Sequence, residues 1–157
     1  MRRLLPLAEL ARICALSLTA AAPPSPASIA LVLSDDAQLA ELNARHMGRP
    51  GPTDVLSFPL LELSVGAAAE HHEPVFRLAP GQRLHLGDIV VSVERAIEQA
   101  EMGRGGQTGN VSWSPAEELR LLVVHGVLHV CGWDHENTQS EASMRTLERG
   151  ILDFEYA

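Results

Sequence analysis

His125, His129 and His135 occur in the order His-x-x-x-His-x-x-Gly-x-x-His, a spacing that could gather three imidazoles around one metal ion. Histidines four residues apart on a helix share a face about one turn apart, so their rings can converge. Two imidazoles inside an apolar run are costly to bury unless their nitrogens find partners, and a metal with outer acceptors would supply them. Gly132 follows His129 closely, so the helix can stop there and the chain can turn back to present His135. The bland alternative is a pair of satisfied core histidines and an unrelated surface His135; the spacing favours the metal.

No convincing fourth ligand lies nearby. Asp134 and Glu136 flank His135, but a bond from a ligand's second nitrogen suits Asp134 equally well. Three protein ligands and an open position describe a catalytic Zn2+ rather than a closed structural site. Such an ion lowers the pKa of bound water to about 7 and polarises phosphoryl or carbonyl oxygens, so two bond types are possible targets. Zinc peptidases with this spacing carry a Glu base directly after the first histidine, where this chain has Gly126. Phosphodiester cleavage leans more on the metal and on neighbouring cations, so it suffers less from that loss.

The elements that would position these groups are readable from caps and periodicity. Ser114, Pro115 and Glu117 form a capping box with proline at the first helical position, and they open a core helix running to Cys131. Thr138 and Glu141 suggest a second capping box, followed by an inward stripe of Met144, Leu147, Ile151 and Phe154. Short strands are expected at Ile29 to Leu33, Val55 to Phe58 and Gly87 to Ser92, with Pro59 placing the second near a sheet edge. Ser34 is the expected cap of a helix with Leu39 and Leu42 facing inward, fading near Arg45, and another helix runs from about Val93 to Met102. Strands and helices mix without regular alternation, which predicts an α+β fold: one mixed sheet packed with helices, and the metal site at the end of a core helix.

The length of 157 residues fits a single domain, 1–157, with an N-terminal helix over 1–22 and a loop or insertion over 63–84. Arg2 and Arg3 before an apolar run resemble a signal peptide, but Glu9 and Arg12 interrupt it. Leu4, Leu7, Leu10 (or Ala11) and Leu18 instead predict an amphipathic surface helix. No membrane span is expected, and Cys14 and Cys131 read as buried apolar residues of a cytoplasmic protein. His71, His72 and His85 lie in or beside the loop without ligand spacing and read as solvated. The net charge of −8 argues against a protein that coats nucleic acid by overall attraction, yet it permits a local groove lined by arginine.

The run His125-Gly126-Val127-Leu128-His129-Val130-Cys131-Gly132-Trp133-Asp134-His135 resembles the signature of the bacterial YbeY endoribonucleases, or rRNA maturation factors. Leu42-Asn43, Pro52-Thr53-Asp54-Val55-Leu56-Ser57-Phe58-Pro59 and Leu86-Gly87-Asp88-Ile89-Val90-Val91-Ser92 resemble its other blocks, in the same order. The resemblance implies a small α+β domain, zinc held by His125, His129 and His135, and metal-dependent cleavage of single-stranded RNA. It further implies a role in ribosomal RNA maturation at the small-subunit 3′ end and in ribosome quality control, with the ribosome or its assembly factors as partners. The family usually has an aromatic residue and then an arginine after Leu-Asn, where this chain has His46 and Met47. Arg49, or Arg45, is the candidate replacement cation for catalysis and substrate binding. The strand that relatives carry before the first helix has no counterpart, through either an upstream start or a shorter sheet. The alternatives are a metallopeptidase-like hydrolase with another base, and a non-catalytic zinc-stabilised ribosome-binding module.

Overall fold

The computed structural model describes residues 5–61, 79–102, 114–134 and 137–156, with side chains described only to Leu152 in the last segment. Among the described residues three strands form one sheet, β1 (Ala27–Ser34), β2 (Val55–Pro59) and β3 (Leu84–Ser92), in the order β1-β3-β2. β1 runs parallel to β3, with a register shift between Ser28 and Ile29, and β2 runs antiparallel to it. The sheet is therefore mixed, as expected, and among the described residues Pro59 ends an edge strand. β3 begins at Leu84, so the last residue assigned to the loop belongs to the sheet; residues 62–78, with His71 and His72, lie outside the described residues. His85 is partnered rather than simply solvated, its ring meeting Ser28 Oγ at 3.1 Å and Asp88 Oδ1 at 2.9 Å.

β3 is covered on both faces, which accounts for its nearly unbroken apolar run. Leu86, Ile89 and Val91 face the main core, while Val90 joins Leu39 and Leu56 in a smaller cluster on the other side. The main core is completed by α1 (Leu7–Ala21), α3 (Val93–Glu101), α4 (Pro115–Val130) and α5 (Thr138–Tyr156). The smaller cluster lies under α2 (Asp36–Leu42), which continues as one π-turn through Met47 before Gly48, at φ +64°, ends it.

α4 starts on the expected capping box: Ser114 Oγ accepts from the Glu117 N–H, and Glu117 accepts from the Ser114 N–H at 2.6 Å. Such a cap contributes about 1 kcal/mol. Two other caps fall one residue away from expectation. Asp35 rather than Ser34 caps α2, accepting from the Gln38 N–H at 2.9 Å, while the Ser34 hydroxyl bonds the Gln38 side chain. Asn137 rather than Thr138 caps α5, accepting from the Ser140 N–H at 2.9 Å, and Glu141 pairs with Arg145 instead. Asn137 outranks threonine as a cap, and Asp35, equal to serine in that role, also adds charge at the helix N-terminus.

α1 packs against α4 and α5 through Leu10, Ile13, Ser17 and Ala21, whereas Leu7 is exposed and Leu18 only partly buried. The contact face is thus rotated from the leucine stripe, Leu4 itself lying outside the described residues. Ser17, fully buried, satisfies its hydroxyl on the Ile13 carbonyl at 2.7 Å. Glu9 pairs with Arg120 of α4, which gives one interrupting charge of the N-terminal segment a structural partner. Burial pushes the Cys14 and Cys131 thiols up to about 11, in keeping with small apolar roles. Among the described residues no helix is long and apolar enough to cross a membrane.

Candidate metal centre

α4 is apolar on nearly every side, and its two histidines occupy the one face that is only half buried. Their rings meet edge to face, with centroids 4.4 Å apart and Nε2 atoms 2.9 Å apart. His125 is held from behind by Glu148 of α5, whose Oε1 lies 2.6 Å from Nδ1. With the carboxylate accepting the Nδ1 proton, His125 turns its Nε2 lone pair toward His129. Two imidazole nitrogens on one tetrahedral zinc stand roughly 3.3 Å apart, so the pair needs to open by only about 0.4 Å to share an ion. Two converging nitrogens, one backed by a carboxylate, fit the donor set of a zinc site.

The helix then stops as its glycine predicts. Gly132 adopts φ +97°, its N–H donates to the His129 carbonyl, and the Trp133 N–H reaches back to Leu128 at 3.0 Å. That paired closure is a Schellman motif, and Trp133 packs against the core to anchor it. The chain therefore reverses directly behind His129, and Asp134 is exposed at the turn. His135 and Glu136 lie outside the described residues, and among those described no group of three metal-ligating side chains is gathered.

Glu148 escaped the reading of the sequence, although one signal was present: it is the acidic member of a helix face otherwise formed by Met144, Leu147 and Ile151. Phe154, also assigned to that face, has no described side chain. Gly126 also has a second meaning. Its ideal Cβ would lie 2.5 Å from Ile89 Cγ2 and 3.3 Å from Val55 Cγ2, and its carbonyl accepts from Ser57 Oγ at 3.1 Å. The residue after the first histidine thus faces the sheet at a distance that excludes any side chain.

The arginine segment flanks the same edge strand. His46 packs edge-on against Phe58 at 5.3 Å, taking the aromatic place in the Leu-Asn block, while Met47 is exposed. Asn43, buried, donates to the Gly51 carbonyl at 3.0 Å and so ties down the turn that carries Arg49. Arg45 pairs with Glu41 at 2.8 Å along α2, whereas Arg49 is exposed and forms no ion pair among the described residues. Gly87 belongs to the same architecture: a Cβ there would meet the Phe58 carbonyl oxygen at 2.4 Å, so this block of β3 owes its glycine to the approach of β2.

A three-stranded mixed sheet under a buried histidine-bearing helix places the chain among small α+β proteins. The solution structure of TM1509 from Thermotoga maritima shares this fold, with a TM-score of 0.56 at 20% identity, covering 96% of this chain and 86% of that one. The family model described as Endoribonuclease YbeY matches residues 7–155, and the chain belongs to that family. Its relatives include proteins named Endoribonuclease YbeY from Mycobacterium sp. (strain KMS) and Rhodococcus erythropolis (strain PR4 / NBRC 100887). They are 41% and 40% identical over 127 residues, which is 81% of this chain and 63% and 62% of theirs.

Proposed function

We propose that this chain is a zinc-dependent endoribonuclease that cleaves single-stranded RNA in ribosomal RNA maturation, at the small-subunit 3′ end, and acts in ribosome quality control. Family membership supports the activity, and the observation that carries the zinc is the His125–His129 pair, converging at 2.9 Å with its first ring held by Glu148. His125, His129 and His135 would hold the ion, which when bound activates water or a ribose hydroxyl toward the phosphodiester. Single-stranded RNA suits such a site because its backbone and bases are not locked in a duplex. The ribosome or its assembly factors would be the partners, in the cytoplasm.

The peptidase reading loses support at Gly126, because no side chain fits where its base would stand. A test pairs metal analysis of untagged protein with two substrates. We expect stoichiometric zinc, RNA cleavage that stops when chelator strips the metal, and no digestion of an unfolded protein. Proteolysis without RNA cleavage would overturn the reading.

Arg49 is the candidate to steady the phosphate that forms no ion pair among the described residues, since Arg45 is engaged by Glu41. Arg49→Ala should lower RNA cleavage by roughly 10²-fold, the scale of losing one electrostatic stabiliser, with zinc content unchanged. Unaltered cleavage would remove Arg49 from the site. Substrate titration adds a finer reading, as a purely binding role raises KM and leaves kcat near its original value.

A further inference from the structure

We propose that Glu148 is a positioning residue for the metal centre: it accepts the Nδ1 proton of His125 and so fixes the ring in the tautomer that offers Nε2 to the ion. The inference rests on the zinc reading above and adds to it a member from a different helix. Glu148 is 8% exposed on the inward face of α5, between Met144 and Ile151. A carboxylate in such a place is costly unless it is hydrogen-bonded, and an apolar residue of similar volume would serve helix packing as well or better. Stability therefore gives no reason for it. The 2.6 Å contact to His125 does, because a neutral imidazole carries only one proton, and a fixed acceptor at Nδ1 decides which nitrogen keeps its lone pair. A carboxylate there also makes the opposite nitrogen a stronger donor to a cation.

Two measurements on the full chain separate this from a packing role. In the zinc-free protein, long-range proton–nitrogen correlation should show the neutral His125 ring carrying its proton on Nδ1, and Glu148→Ala should shift it toward the Nε2 form. Competition against a chromophoric chelator should show zinc affinity weakened about 10- to 100-fold in Glu148→Ala, with Glu148→Gln, which keeps an acceptor but loses the charge, falling between. Should the alanine variant fail to fold, the near-isosteric glutamine variant decides, with about tenfold expected. Equal affinity in the folded variants, or a wild-type His125 carrying its proton on Nε2, would overturn the proposal; a purely structural Glu148 would shift the melting temperature and leave zinc affinity alone. A wild-type chain that binds no zinc would defeat the zinc reading instead, and the tautomer measurement would still judge Glu148.

Discussion

Replacing His129 with alanine is expected to abolish RNA cleavage, by at least about 10³-fold, while the zinc-free protein keeps its fold. On the proposed function the loss is large because the substitution would remove a ligand of the ion that supplies both nucleophile activation and positive charge at the phosphodiester. The fold should survive because the half-buried ring lies on the open face of α4, opposite the residues that pack the core, and alanine is the better helix former. Glu148 bonds His125 rather than His129, so the substitution leaves that carboxylate its partner. Activity, zinc content and the melting temperature of chelator-treated protein together check this. A melting temperature that collapses even without metal would instead favour the non-catalytic module, in which the site exists to hold the chain together.

The same substitution shows which parts of the site the sequence made visible. His125 and His129 were legible because helical geometry converts a spacing of four into convergence, and the Schellman turn was legible because Gly132 follows at the place such a motif requires. Local chemistry of this kind is written in residues that touch one another along the chain. Glu148 was not, because its relation to His125 spans 23 residues and depends on how α5 lies across α4. The α1 face was legible only in part: Leu10 is buried and Leu18 packs against the core as the stripe predicts, but Leu7 is exposed and the helix also buries Ile13, Ser17 and Ala21. The caps of α2 and α5 slipped by one position since adjacent residues, Ser34 beside Asp35 and Asn137 beside Thr138, were both competent. All three strands were legible, but β1 and β3 begin earlier than expected, at Ala27 and Leu84, because only the apolar run of β3, buried on both faces, marks it in the sequence.

Gly126→Ala is the second change with a large expected effect, and it tests why this position carries no general base. The added methyl would sit 2.5 Å from Ile89 Cγ2, a contact that no rotation of a long side chain can relieve, since Ile89 is fully buried and stiff at its β-branch. Either α4 must retreat from the sheet or Ile89 must leave its rotamer, at a cost of about 1–3 kcal/mol. Retreat would also stretch the 3.1 Å bond from Ser57 to the Gly126 carbonyl and tilt the helix that carries both histidines. Gly126→Glu should be worse still, giving loss of soluble protein rather than a new peptidase. Urea unfolding of Gly126→Ala, Ile89→Ala and the double variant forms a cycle that isolates the contact. If the clash is the cause, Gly126→Ala costs much less in the Ile89→Ala background, where Cγ2 is gone. If the cost is the same in both backgrounds, the glycine is not demanded by the sheet, and its place in the signature needs an explanation in the chemistry.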